Sequence, residues 1–234
     1  MKVRALHAWD LSPTEAIGLQ RELAKRVRLR GRLGSLRWVA GCDVAYDLSR
    51  SILFGGAVLW DLTRSAPVER ALVQAPIRFP YIPGLLSFRE APVLLHALST
   101  LKGQPQVVLV DGHGVAHPRG LGLASHLGLH LDAPTVGCAK GLLVGDHEPL
   151  GAERGTLAWL HFRGIRVGAA VRTRTGVKPL YVSPGQGIGL EDAVKAVLLC
   201  LGRFRIPEPL RQAHIAAEGE KCGGRFLASV RGVD

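Results

Sequence analysis

The stretch Trp38-Val-Ala-Gly-Cys-Asp43-Val-Ala-Tyr46, read with the apolar runs at 52–60 and 68–75 that follow it, decides the fold. All three runs favour strands, and only the turn residues 47–50 and 61–66 separate them. Connections that short join antiparallel neighbours, because a parallel crossover takes about a dozen residues or more. Farther on, Val107-Val-Leu-Val110 is apolar throughout, as a strand buried on both faces must be. A glycine-rich turn, a helical stretch at 120–130 and a strand at 135–139 complete a β-α-β unit. Three antiparallel strands followed by parallel βαβ units is the order of a ribonuclease H-like α/β fold, a mixed sheet flanked by helices.

The rest of the chain fits around that sheet. Ser12 is placed to cap an opening helix over 12–29, with Pro13 in its first turn and Ala16, Leu19, Leu23 and Val27 at helical spacing. A proline-flanked loop at 76–84 leads into a helix over 85–101, and strands at 167–173 and 180–182 with helices at 190–201 and 208–217 extend the pattern. No repeat or linker interrupts the 234 residues, so 1–234 reads as a single domain, with the tail after 218 a disordered or variable extension.

Composition narrows the function. At 47% hydrophobic residues the chain buries a core without disulfide or metal staples and is too apolar to be mostly disordered. It contains no apolar run long enough for a membrane span and no leader-like start, and Cys42, Cys138, Cys200 and Cys222 lie far apart, which points to a reduced, cytoplasmic protein. The net charge is +11, and arginine supplies 23 of the 30 cations. A GC-rich genome alone accounts for such an excess as well as function does, but two clusters tilt the balance. Residues 21–37 carry seven cations against Glu22, and residues 163–178 carry five with no anion. Planar guanidinium groups suit phosphate, so the expected partners are nucleic acid, polyphosphate or an anionic surface.

Two acids fall where burial is costly. Asp43 lies inside the first strand, and Asp111 ends the 107–110 run. A buried carboxylate must be paired or bind a metal. Taken singly, an arginine partner for Asp43 or a turn-capping role for Asp111 is the simpler reading. On neighbouring strands, the two carboxylates converge at one sheet edge as oxygen donors for a hard cation such as Mg²⁺. Glu90, among Phe88, Val93 and Leu94, is a third candidate, which alone reads as a partner of Arg89 or a surface residue. Asp111-Gly-His-Gly-Val-Ala-His-Pro-Arg119 sets His117 and Arg119 behind glycines that allow close approach of phosphate or base. Neither Gly112-x-Gly114 nor Gly185-Gln-Gly187-Ile-Gly189 is a dinucleotide fingerprint. The first lacks a third glycine, and in the second that glycine comes one position early.

Motif by motif, the chain resembles the endonuclease V family of deaminated-base repair nucleases. The resemblance rests on Ala40-Gly-Cys-Asp43, Pro80-Tyr-Ile-Pro-Gly-Leu-Leu-Ser-Phe-Arg-Glu90, Asp111-Gly-His-Gly with His117-Pro-Arg119, residues 122–128 with His126, Pro134-Thr-Val-Gly-Cys-Ala-Lys140, and Pro207-Glu-Pro-Leu-Arg211. It spans residues 11–217, in order and spacing. It implies a Mg²⁺-dependent endonuclease, with Mn²⁺ as substitute, that recognises deoxyinosine in DNA. Such an enzyme hydrolyses the second phosphodiester bond 3′ to the lesion and leaves 3′-hydroxyl and 5′-phosphate ends.

By the same resemblance Asp43 and Asp111 hold metal, and Glu90 orients water or completes a second metal position. His117 and Lys140 stand near the scissile phosphate, and His214 falls where the family carries Asp or His. Tyr81 lies in the Pro-Tyr-x-Pro wedge that enters the duplex beside the lesion. Gly84, Gly112 and Gly137 are the expected main-chain donors to the hypoxanthine six-oxygen, with Leu85 and Leu123 as pocket walls. Gln186 and Gly187 stand where the family carries a histidine and often a basic residue, so phosphate contact from that loop is not expected. The expected partner is deoxyinosine-containing DNA, met by a monomer away from membranes. Two other readings remain: an inosine-specific endoribonuclease of the same fold, and a non-catalytic nucleic-acid binder, against which the Asp43, Glu90 and Asp111 set argues.

Overall fold

The computed structural model describes residues 1–221, so Cys222 and the greater part of the expected variable tail lie outside the described residues. Its strands are β1 (Trp38–Asp47), β2 (Ile52–Asp61), β3 (Ala66–Pro76), β4 (Val107–Val110), β5 (Thr135–Ala139), β6 (Leu157–Phe162), β7 (Ile165–Val171) and β8 (Leu180–Gln186). They form one sheet in the order β3-β2-β1-β4-β5-β8-β7-β6. The first three make the antiparallel meander, β1, β4 and β5 run parallel, and β8, β7 and β6 continue antiparallel. This is the mixed α/β sheet expected.

The helices are α1 (Pro13–Ala24), α2 (Leu86–Thr100), α3 (Leu123–His130), α4 (Leu190–Leu199) and α5 (Glu208–Lys221). Central strands must be apolar on both faces, and they are. Cys42, Val108 and Val110 pack against Leu94 and Leu98 of α2 and Leu127 of α3. On the other face Val39, Leu109, Val136 and Val182 meet Val194 and Val197 of α4 and Leu210 of α5. Two adjacent glycines in β2 let both helix layers close in. A Cβ on Gly55 would lie 2.9 Å from Val93 of α2, and one on Gly56 would lie 2.6 Å from the Ala213 carbonyl of α5. Among the described residues no helix is long and apolar enough to cross a membrane.

Four elements differ from expectation. The Ser12 cap is present as a reciprocal box with Glu15, but α1 ends at Ala24 rather than 29. Beyond it the chain pairs with the end of β8: the Arg28 N–H donates to Gln186 Oε1 (2.7 Å), and the Gly187 N–H donates to the Arg28 carbonyl (2.7 Å). Strand β6 was not expected. It is a half-exposed edge strand, and its sequence Leu-Ala-Trp-Leu-His-Phe lacks clean alternation. Strand β8 runs past 182 through Pro184, which the sheet tolerates because the pairing with β5 shifts register there. Helix α5 continues past 217 to Lys221, into what was read as the start of the tail.

Candidate active site

The β1/β4 register builds the site. Cys42 pairs with Val110 at the end of the parallel ladder, and the Asp111 N–H donates to the Cys42 carbonyl at 3.3 Å. Asp111 therefore stands just past the carboxyl end of β4, level with Asp43 in the middle of β1, where the parallel ladder between them ends and where open α/β sheets bind ligands. Alternation along β1 turns Asp43 toward α5 and Tyr46 toward α2.

Each carboxylate has its own partner. Asp43 accepts the Val44 N–H (2.8 Å) on one oxygen and meets His214 Nδ1 of α5 (2.7 Å) on the other. Asp111 is ion-paired with Lys140, the residue that follows β5. Glu90, buried on α2, accepts the hydroxyl hydrogen bond of Tyr46. Arg89 lies over the Tyr46 ring, 5.2 Å from its centroid, and donates to the Phe79 carbonyl (3.0 Å).

Burial pushes Glu90 up to about 8; the charges of Asp43 and Asp111 add to the shift, and the Tyr46 hydrogen bond opposes it. Burial and Asp43 push Asp111 up to about 6 against the pull of Lys140. The hydrogen bond to Asp43 raises His214. Glu90 and Asp111, both raised beside the Asp43 carboxylate, are with it a donor set that a hard divalent cation suits, since the ion replaces protons as the neutralising charge. Such an ion competes with Lys140 and His214 for oxygens of Asp111 and Asp43.

These shifts set a pH dependence. An acid whose folded pKa exceeds its unfolded value binds more protons when folded, so stability falls as pH rises between the two. For Glu90 that window runs from 4.5 to about 8. In chelator, the melting temperature is expected to decline across it, and Glu90→Gln to flatten the decline. An unchanged slope in Glu90→Gln would remove Glu90 as its source.

His117 and Arg119, expected at phosphate, are engaged elsewhere. Gly84 adopts φ +80°, and its carbonyl accepts from Gln20 Nε2 (3.0 Å), His117 Nε2 (3.1 Å) and Arg119 Nη2 (2.7 Å). His117 Nδ1 in turn accepts the Arg119 N–H (3.2 Å). Burial and the Arg119 charge push His117 down to about 4, so it is a neutral clamp. Both side chains fasten the loop that carries Tyr81, which is itself 69% exposed.

The expected pocket residues fall in two groups. Gly112, Leu123 and Gly137 meet around the turn after Asp111: a Cβ on Gly112 would lie 3.2 Å from Leu123, and one on Gly137 would lie 2.6 Å from the Gly112 carbonyl. Gly137 thus lets that turn lie flat on β5. Gly84 and the buried Leu85 stand on the clamped loop, where Leu85 packs with Phe79 and Phe88. Gln186 and Gly187 lie at the opposite end of the sheet from Asp111, because Gln186 pairs with Thr135 at the start of β5.

Sequence reasoning missed Tyr46 and Gln20, and it named Arg89 only as a possible partner of Glu90, not for its contacts with the Tyr46 ring and the Phe79 carbonyl. Tyr46 carried one usable signal: a phenol three residues after Asp43 on a buried strand needs a polar partner. Gln20 and Arg89 carried none, because their roles depend on which loop packs over them.

The charge clusters separate by register. Val171 of β7 pairs with Leu180 of β8, and Tyr181 of β8 with Ala139 of β5, so exposed Arg174 and Lys178 sit at the Asp111 end. Arg163 lies in the β6–β7 turn at the other end, and Arg166 lies nearby, 3.7 Å from Glu191. Arg172 is spent on the Gly151, Leu150 and Val177 carbonyls. Arg28 and Arg37 also lie at the far end, beside Gln186 and the start of β1.

The family model for endonuclease V matches residues 21–215. Endonuclease V of Thermus thermophilus is 52% identical over 208 residues, covering 88% of this chain and 92% of that protein. The crystal structure of Streptomyces avermitilis endonuclease V superposes with a TM-score of 0.87 at 39% identity, covering 95% and 99% of the two chains. Ciona intestinalis endonuclease V, solved in complex with a 24mer DNA containing an inosine followed by a ribo-adenosine, has a TM-score of 0.78 at 27% identity, covering 90% and 98%.

Proposed function

Because this chain belongs to the endonuclease V family, we propose that Asp43, Glu90, Asp111 and Lys140 are the working residues of a metal-dependent nuclease that cuts DNA at deaminated bases, chiefly deoxyinosine. The observation that carries the assignment is the adjacency of Asp43, in the middle of β1, and Asp111, just past the end of β4, with the charges of both acting on buried Glu90.

Asp43 and Asp111 would hold the ion, Mg²⁺ with Mn²⁺ as substitute. When bound, it supplies Lewis-acid charge and acidifies water for attack on phosphorus. The chain's own groups do the rest. Tyr46 fixes one oxygen of Glu90, which holds the carboxylate in place to orient the attacking water. Lys140 leaves Asp111 for the phosphate and offsets the charge developing on its oxygens. His214 positions Asp43. Cleavage falls at the second phosphodiester bond 3′ to the lesion. The flipped base is read by main-chain N–H groups of the turn at Gly112 and Gly137 and of the loop at Gly84, with Leu85 and Leu123 behind them.

The test is nicking of a duplex with one deoxyinosine, with Mg²⁺ and with chelator, beside an undamaged duplex. Mg²⁺-dependent nicking at the lesion alone is expected; equal cutting of both duplexes, or none, overturns the reading. An inosine-containing RNA strand belongs in the same assay, because the Ciona relative was solved with a ribo-adenosine after the inosine. Faster cutting of RNA would move the assignment to an inosine-specific ribonuclease.

Tyr81 is the proposed wedge. Tyr81→Ala is expected to lose roughly 1–3 kcal/mol, the worth of one base–aromatic stack, and to affect duplex more than single-stranded substrate. Wild-type rates on both would end the wedge assignment.

A further inference from the structure

A second cluster lies among the N-terminal segment, α3 and α2. His126 and His130 stand four residues apart on α3, both buried, and His7 comes from the chain before α1. Their imidazoles converge tip to tip: His7 Nε2 lies 2.8 Å from His126 Nε2 and 3.3 Å from His130 Nε2. Among the described residues this is the only His, Cys, Asp or Glu trio whose ligand atoms all lie within 4.8 Å of one another.

The opposite ring nitrogens fix the tautomers. His7 Nδ1 donates to the Ala8 carbonyl (2.8 Å), and His130 Nδ1 donates to the Arg4 carbonyl (2.7 Å). A carbonyl only accepts, so both protons sit on Nδ1, and the Nε2 atoms of the neutral rings present bare lone pairs to each other. His126 Nδ1 meets Ser87 Oγ of α2 (2.9 Å). The Nε2 lone pairs of His7 and His130 thus face the same point, which a cation would occupy; the competing arrangement is a hydrogen bond from His126 Nε2–H to His7 Nε2. Trp9, stacked on His130 at 5.2 Å, and Phe88, edge-on to His126 at 5.0 Å, wall two sides of the cluster.

We propose that His7, His126 and His130 form a structural site for a borderline-soft divalent cation, Zn²⁺ or a close equivalent, bound through the three Nε2 atoms. Tetrahedral zinc with Zn–N bonds of about 2.0–2.1 Å sets its nitrogens about 3.3 Å apart, the spacing of His7 from His130, whereas His126, 2.8 Å from His7, would move back by roughly 0.5 Å to ligate. Nδ1–H groups held by backbone carbonyls are the usual outer support of ligating histidines, and two of the three have them. Neutral imidazoles without a carboxylate select against Mg²⁺ and Ca²⁺, which separates this site from the Asp43/Asp111 pair. Water would take the fourth position. The ion would bind the N-terminal segment to α3, where Val3 already bridges Leu131 and the Arg4 N–H donates to the His130 carbonyl (2.8 Å). Through Ser87 it would also stiffen α2, the helix that carries Glu90.

The test uses the full chain carrying Asp43→Ala and Asp111→Ala, which removes the carboxylate site, stripped with chelator and titrated with Zn²⁺ and Co²⁺. One equivalent of each is expected to bind, with the intense visible absorption of four-coordinate Co²⁺. At Zn²⁺ about 100-fold above Kd, the melting temperature should rise by about 5–10 °C, and Mg²⁺ should not shift it. His7→Phe keeps the aromatic packing against Trp9 and leaves α3 untouched, so it is expected to fold and to lose Zn²⁺ affinity by about 100-fold or more. Absence of Zn²⁺ binding in the parent, or equal binding in His7→Phe, would overturn the site.

Discussion

Alanine at Asp43 or Asp111 is expected to abolish nicking, by roughly 10³-fold or more, while lesion-containing DNA is still bound. The division of labour follows from position. The two carboxylates stand where the β1/β4 ladder ends, with little exposed surface, whereas exposed arginines and lysines supply the attraction to phosphate. Each substitution also frees a basic side chain, since Lys140 loses Asp111 or His214 loses Asp43. Binding should therefore hold or tighten as cleavage vanishes. Single-turnover nicking beside a binding titration without divalent ions separates the two effects. If both variants lose binding together with cleavage while still melting cooperatively, the carboxylates are part of the DNA-contact surface and the metal assignment fails.

The second large effect is on salt dependence. With about 6–10 phosphate contacts, affinity should drop by roughly 10³–10⁵ between about 50 and 200 mM salt. The register refines where those contacts lie. Arg174 and Lys178 flank the carboxyl end of the sheet, and Arg205, which donates to the Lys140 carbonyl (2.7 Å), stands beside them. Arg163 and Arg166 lie at the opposite end, although all but Arg205 belong to one basic run in sequence. Replacing Arg174 and Lys178 together by alanine should reduce the log–log salt slope by about 2 and leave lesion preference intact. The Arg163/Arg166 double replacement should change neither. The reverse pattern would place the duplex across the far edge of the sheet.

Much of this molecule is legible in one dimension. Strand-forming runs with turns too short for a crossover can only make an antiparallel meander, and an all-apolar run of four residues can only be an interior strand. Hence β1 to β5 came out within a residue or two. Buried acids announce themselves because burying charge is costly, so Asp43 and Asp111 stood out as a pair before any contact was known, whereas Glu90, which alone reads as a surface residue or a partner of Arg89, entered through the family resemblance. The Ser12–Glu15 cap is equally local. Where the chain departed from expectation, a partner distant in sequence had intervened: the end of β8 draws residues 28–31 out of a helix, and a register shift carries β8 through Pro184.

Tertiary structure alone decided what each polar side chain faces. In sequence, His117 and Arg119 look like phosphate ligands, since basic groups behind glycines suit an anion. Folding brings a glycine carbonyl from 33 and 35 residues away within their reach, and a buried carbonyl must be satisfied. Tyr46 gains Glu90 only because α2 crosses β1 at that level. The convergence of His7 with His126, 119 residues apart, has no signature in the chain at all. Composition and periodicity record the environment a residue needs, and that determined the sheet, the core and the acids. Which donor meets which acceptor depends on how helices and loops dock on the sheet, and no local pattern encodes it.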